Sequence, residues 1–100
     1  MDLELLTLRD VIDALMRYDI KHCPFPQNDI SKKLGSHNGI IDDEKKIVYL
    51  NEEQTQESMR KTIIHEFSHA KNYRAGKKDT EKQIEKETEI IYKKLYGSNN

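Results

Sequence analysis

Hydrophobic positions near the start of the chain recur with the spacing of an α-helix. Asp10, Asp13 and Arg17 fall on the opposite side of that helix, and Thr7 followed three residues later by Asp10 is a typical start signal. The pattern predicts an amphipathic helix over residues 5–18 that packs on the core through one face. A helix whose apolar face binds a partner is the alternative. The apolar positions are Leu5, Leu8, Val11, Ile12, Leu15 and Met16.

The next segments favour β-structure. Residues 18–25 alternate weakly between apolar and polar positions and end at prolines, which predicts a short strand. Residues 27–38 are polar and are interpreted as a loop, with one helical turn within it as the alternative. Residues 39–51 contain two β-branched runs on either side of a charged turn, the pattern of a β-hairpin. Together these segments predict a three-stranded sheet.

A long helix is predicted from Thr55 to Arg74, ended by Gly76 in the left-handed conformation. Asn51 is the expected cap, with Gln54 as its capping-box partner. The expected buried stripe consists of Met59, Ile63, Phe67, Ala70 and Tyr73.

A last helix is predicted after a charged turn. Asp79 and Thr80 are candidate caps, and Gly97 is the expected end. Its apolar positions are Ile84, Thr88, Ile91 and Leu95. The fold class is therefore α+β, a small three-stranded sheet with a hairpin packed on three helices, and residues 1–100 form a single domain.

Composition narrows the function classes. The net charge of −1 gives no electrostatic reason to expect nucleic acid or an anionic membrane as a partner. A single cysteine, Cys23, excludes an internal disulfide, and no apolar run has the length of a signal-peptide core or a membrane span. The expected location is cytoplasmic.

The candidate chemistry lies inside the long helix, where the segment His65-Glu66-Phe67-Ser68-His69 matches the pattern H-E-x-x-H. In a helix, His65 and His69 stack on one face and can bind one metal ion. Glu66 is rotated by about 100°, so its carboxylate would lie beside the metal rather than on it, as a general base requires.

A catalytic zinc needs a third protein ligand. The other histidines, His22 and His37, precede the motif and are interpreted as ordinary polar residues, so a carboxylate on the last helix is the better candidate. The last helix carries Glu81, Glu85, Glu87 and Glu89.

If the last helix packs antiparallel to the long helix, each carboxylate can be ranked by how close it lies to the level of His69 along the helix axis. Glu85 lies eight residues after Lys77, as His69 lies eight before it, so Glu85 is the predicted third ligand. Glu81 would lie about 6 Å too close to the turn. Glu89 ranks next as a ligand, and would otherwise orient a histidine through its second ring nitrogen.

The motif and its surroundings resemble a known family. H-E-F-S-H followed by a glutamate on the next helix resembles the gluzincin zinc metallopeptidases, specifically the single-domain minimal gluzincins. The chain is also similar to the ImmA/IrrE-type peptidase domain, in which a Gly, strand, turn, strand, Asn pattern precedes an Arg-containing helix that leads into the motif. Here that pattern falls on residues 39–51 and 59–65. The resemblance covers roughly residues 39–95.

The resemblance implies a zincin-like fold and one zinc ion per chain, held by His65, His69 and Glu85 with Glu66 as the base. Glu89 stands where the family has an Asp, and Thr88 stands where it has an Ala. Minimal gluzincins are typically latent, so self-association with a chain segment blocking the cleft is an expectation.

The implied reaction is hydrolysis of a peptide bond in a protein or peptide substrate, aligned by pairing with an exposed strand. Candidates for stabilising the oxyanion are Tyr73, Tyr92 and Tyr96. Cys23 is interpreted as a small buried residue, with a thiolate that covers the zinc in a latent form as the alternative. A second hypothesis is a non-catalytic module that keeps the zinc site while its surface binds a partner.

Overall fold

The computed structural model of the protein describes residues 5–24, 38–77 and 80–97. Most of the predicted loop, His37, the cap candidate Asp79 and residues 98–100 lie outside these ranges. In chain order the elements are α1 (Leu8–Arg17), β1 (Asp19–Cys23), β2 (Gly39–Asp42), β3 (Ile47–Asn51), α2 (Gln56–Arg74) and α3 (Glu81–Tyr96). The predicted α+β fold class is confirmed.

Helix α1 begins at the predicted capping box. The Thr7 hydroxyl accepts a hydrogen bond from the Asp10 amide at 3.2 Å, and the Asp10 carboxylate accepts one from the Thr7 amide at 2.9 Å. The carboxylates of Asp10 and Asp13 also bind Arg74, at 3.1 and 3.0 Å. These contacts attach α1 to the end of α2.

The face of α1 that packs on the core differs from the predicted one. Because Asp10 and Asp13 turn toward Arg74, the helix buries Ala14 and the following Tyr18, with Val11 partly buried. The prediction that the apolar stripe lies on the core is wrong for most of its members. The exposed members are Leu8 (77%), Ile12 (51%), Leu15 (54%) and Met16 (82%).

The sheet has the order β1-β3-β2, with β3 in the centre. Strand β1 runs parallel to β3, and β2 runs antiparallel to it as the predicted hairpin partner. Val48 and Leu50 point from β3 into the main core, where they meet Phe67 and Ala70 of α2. Helix α2 therefore lies across one face of the sheet.

The hairpin turn is tied to the end of α1. The Tyr18 hydroxyl donates a hydrogen bond to Asp43, which also accepts one from the Lys46 ammonium at 2.8 Å. Lys46 adopts a φ of 58°, in the left-handed region. The Lys46 and Tyr18 hydrogen bonds lower the pKa of Asp43, while burial and the same bond to Asp43 raise the pKa of Tyr18.

Helix α2 starts one residue after its cap, Thr55, whose hydroxyl accepts a hydrogen bond from the Ser58 amide at 3.1 Å. The predicted cap, Asn51, instead ends β3. The side-chain amide of Gln54 donates to the Asn51 carbonyl at 2.6 Å. The predicted capping box between Asn51 and Gln54 is therefore wrong, although the helix begins where expected.

Helix α3 is capped by Thr80, as predicted, through a hydrogen bond from the Gln83 amide at 3.1 Å. Its buried face carries Ile84, Glu87, Thr88 and Ile91. Leu95 was also expected there but is 66% exposed. No helix of the described residues is long and apolar enough to cross a membrane.

Candidate active site and metal centre

Helix α2 brings the two histidines of the motif together, as the spacing predicts. The rings of His65 and His69 have centroids 5.0 Å apart and an interplanar angle of 66°. His69 is only 5% exposed, while the His65 side chain retains 20% exposure. The two rings are therefore close enough to bind the same metal ion at the rim of a pocket.

Glu81, the first residue of α3, joins the two histidines. Its Oε1 atom lies 2.9 Å from His65 Nε2, and its Oε2 atom lies 2.9 Å from His69 Nε2. One ligand atom from each of the three residues lies within 4.8 Å of the other two. Two imidazole nitrogens and one carboxylate oxygen are the donor set of a common type of catalytic zinc site, so these residues fit a metal ion.

The structure does not bring Glu85, the predicted third ligand, into this group. Glu85 lies one turn further along α3 and lines the same cleft. The prediction of Glu85 assumed that every residue beyond the turn advances along the helix axis by the rise of a helical residue. Helix α3, however, begins only at Glu81, and a non-helical residue can advance more than the 1.5 Å of a helical one. Glu81 therefore reaches the histidines that counting assigned to Glu85.

Glu89, expected to support a histidine, is instead paired with a lysine. Its carboxylate lies 3.3 Å from the Lys61 ammonium, one turn before His65 on α2. Lys61 also contacts Glu57 at 3.5 Å. These three side chains also line the cleft.

Glu66, the predicted base, is buried at the floor of the site with 5% exposure. Burial, followed by the negative charge of Glu81, raises the pKa of Glu66 to about 8. No hydrogen bond to its carboxylate is present within the described ranges. A carboxyl group with a raised pKa beside a candidate metal group is typical of an acid–base catalyst.

The site opens into a cleft of about 920 Å³ between the sheet and α3. Gly39, Ile40 and Ile41 of β2 form one side of the cleft. Among the described strands, β2 pairs with β3 alone, so its other edge is directed away from the sheet. Strand β2 therefore lies at one edge of the described sheet and also lines the cleft.

The tyrosine candidates lie in different places. Tyr73 lines the cleft and stacks on His69 with a centroid distance of 5.9 Å. Tyr92 and Tyr96 pack on each other at 5.0 Å and contact Lys61 and Arg60 through their ring faces. Of the three, only Tyr73 contacts a member of the candidate metal-binding group.

The remaining candidates lie away from the described cleft lining. Cys23 ends β1 and packs, partly buried, against the cluster of Ile40 and Tyr49. His22 is an exposed residue of the same strand.

One feature of the sequence could have indicated Glu81 as the residue closest to the histidines. Glu81 directly follows the helix cap Thr80 and is therefore the first residue of the returning helix.

One comparison with known proteins found a match to the chain. A family model described as the IrrE N-terminal-like domain, a peptidase family, matches residues 16–95. The match includes the sheet and the helices that carry His65, His69 and Glu81. No curated protein and no solved structure matches the chain. The predicted resemblance to the ImmA/IrrE-type domain is confirmed, and the chain belongs to the IrrE N-terminal-like domain family, with a domain of the metallopeptidase type.

Proposed function

We propose that the protein is a zinc-dependent metallopeptidase of the gluzincin type that hydrolyses peptide bonds in proteins or peptides. The observation that carries the proposal is the buried carboxylate of Glu66 beside the group formed by His65, His69 and Glu81. An open cleft with a strand edge adjoins that group. Membership of a peptidase family supports the same reaction class.

His65, His69 and Glu81 would hold the zinc ion. When bound, zinc polarises the scissile carbonyl, lowers the pKa of a water molecule toward about 7, and as a cation favours the ionised form of Glu66. Glu66 accepts a proton from the attacking water and donates it to the departing amine. Its burial excludes bulk water, which would otherwise compete for that proton.

Strand β2 supplies the means to hold an extended substrate. A peptide that pairs with its outer edge would lie along the cleft, with main-chain hydrogen bonds providing affinity that is independent of sequence. The substrate class is therefore a polypeptide in extended conformation. The predicted latency and self-association are a separate proposal, tested by comparing cleavage rates over a wide range of protein concentration.

A non-catalytic zinc module is the alternative function. Such a module has no use for a buried carboxyl group beside its metal ligands, and desolvating an acid costs stability. The burial of Glu66 therefore favours the enzyme over the module. A zinc-loaded chain that cleaves no polypeptide, including unfolded ones, would favour the module.

The decisive experiment replaces Glu66 with Gln, which keeps the shape of the side chain and removes its basicity. We expect Glu66→Gln to bind zinc with wild-type stoichiometry, to fold normally and to lose cleavage of an unfolded protein substrate. Glu52→Gln, an exposed residue before α2, is the matched control and should cleave normally. Cleavage by Glu66→Gln at the wild-type rate would refute the mechanism.

A further inference from the structure

Gly39, the first residue of β2, lies directly against helix α2 at the position of the proposed base. A Cβ atom added at Gly39 would lie 2.5 Å from Thr62 Cγ2 and 3.0 Å from Glu66 Oε2. It would also lie 3.1 Å from Glu66 Cγ. Non-bonded carbon atoms are most stable at about 3.5–4.0 Å, so the strand can lie this close to the helix only because Gly39 has no side chain.

We propose that Gly39 is a positioning residue for the reaction, because its bare backbone fixes the carboxylate of Glu66 against α2. The proposal rests on the proposed function, in which Glu66 is the general base. Gly39 itself exchanges no proton and needs no contact with the substrate for this role.

Packing against neighbouring atoms restrains the position of the Glu66 side chain. In the described part of the chain its carboxylate receives no hydrogen bond, although it is buried. A side chain without such bonds takes its position from the atoms that surround it, and those of Gly39 close off one side. A methyl group at residue 39 would therefore occupy space that the Glu66 side chain now fills.

The second neighbour of Gly39 is held in place by a polar network. The Thr62 hydroxyl donates to Gln54 Oε1 at 3.1 Å, and Gln54 Nε2 donates to the Asn51 carbonyl at 2.6 Å. The Ser58 hydroxyl donates to the same Gln54 oxygen at 2.5 Å. Because this network joins the end of β3 to α2, Thr62 cannot easily move aside for a larger residue 39, and the displacement falls on Glu66 or on β2.

The two contacts of Gly39 can be separated by substitution. In Gly39→Ala, the new methyl group overlaps both Thr62 and Glu66. Thr62→Ser removes the Cγ2 atom that would be closest to the new methyl group and keeps the hydroxyl that binds Gln54. The double variant Gly39→Ala/Thr62→Ser therefore retains only the overlap with Glu66, and Thr62→Ser alone is its matched control.

We expect Gly39→Ala to lower both the unfolding temperature and kcat. In Gly39→Ala/Thr62→Ser the unfolding temperature should return to that of Thr62→Ser, while kcat stays roughly 10- to 100-fold lower, since a displacement of about 1 Å can cost that much. KM for an unfolded protein substrate and the zinc stoichiometry should stay at the control values. Recovery of kcat together with stability would overturn the proposal, as would loss of the fold in both alanine variants.

A spectroscopic measurement separates this proposal from the proposed function. The side-chain carboxyl carbon of Glu66, labelled with ¹³C and assigned by its absence in Glu66→Gln, should shift between Thr62→Ser and the double variant at one fixed pH. An unchanged resonance would overturn the positioning role whether or not the enzyme is active. Wild-type protein that holds zinc and cleaves no substrate would instead refute the proposed function, and the resonance would still decide the role of Gly39.

Discussion

The carboxylate of Glu81 lies 2.9 Å from Nε2 of His69, across the connection between two consecutive helices. We expect Glu81→Gln to weaken zinc binding by more than about 100-fold, because even residues that only support a ligand cost 10- to 100-fold when removed. Glu85→Gln, one helical turn away, is the matched control and should bind zinc as the wild type does. Competition with a chromophoric chelator at constant pH measures both affinities. The reverse result would assign the third ligand to Glu85, as counting along the chain predicts.

Tyr73 is the tyrosine that we propose as a donor to a developing negative charge, because it lines the cleft and stacks on His69. We expect Tyr73→Phe to lower kcat by about 10²-fold, the typical effect of removing one donor to an oxyanion, with zinc affinity unchanged. Tyr92→Phe, whose ring packs on Tyr96, should keep the wild-type kcat. Equal kcat values for the two variants would remove Tyr73 from the mechanism.

Asp10 should make the stability of the protein sensitive to acid. Burial acts to raise the pKa of Asp10, but hydrogen bonds from Thr7, together with the charge of Lys71 and a hydrogen bond from it, outweigh burial and lower that pKa. A lowered folded-state pKa contributes stability that is present above the unfolded-state pKa of about 3.9 and is lost as pH falls through the folded-state value.

The test is Asp10→Asn, with the exposed Asp19→Asn as control. At pH 7 we expect Asp10→Asn to lower the free energy of unfolding by about 1–3 kcal/mol, because it removes the charge that strengthens the hydrogen bonds accepted by Asp10 from Thr7 and Arg74. The difference from wild type should shrink as the pH falls below about 4, as measured by urea unfolding at several pH values. A constant difference across that range would show that the charge of Asp10 is not responsible.

The buried hydroxyl group of Ser68 should lower the stability of the protein. Its side chain is 1% exposed, and within the described residues its hydroxyl has no hydrogen-bond partner. We therefore expect Ser68→Ala to leave the free energy of unfolding unchanged or to raise it by about 1 kcal/mol, because an unsatisfied buried hydroxyl is lost. Urea unfolding with an unchanged m-value measures the effect. A loss of more than about 1 kcal/mol would show that the hydroxyl makes a hydrogen bond in solution.

The parts of the fold that the sequence predicts correctly depend on local interactions. The Thr7–Asp10 capping box and the Thr80 cap each involve groups three residues apart, and both form as expected. The hairpin at residues 39–51 and the long helix carrying the H-E-x-x-H motif follow from periodicity in the same way. Local patterns therefore place His65, Glu66 and His69 without reference to the rest of the chain.

The parts that the sequence does not predict depend on how distant elements meet. The rotation of α1 follows from ion pairs between Asp10 or Asp13 and Arg74, more than 60 residues away, so periodicity alone assigned the wrong face to the core. The proximity of Glu81, rather than Glu85, to the two histidines depends on where α3 begins, which counting residues from the turn does not give. The close approach of Gly39 to Glu66 likewise arises from packing of a strand on a helix.

The candidate ligands and the candidate base owe their positions to different parts of the molecule. His65, His69 and Glu81 lie on two consecutive helices, whereas Glu66, on the same helix as the histidines, is also approached by Gly39 of a strand from earlier in the chain. Because no member of the donor group lies on a strand, a change in how the hairpin packs would act on Glu66 directly and on the three donor groups only indirectly. Under the proposed function, the zinc content of a preparation would therefore be a poor measure of its content of active molecules, and titration of active sites would be the better count.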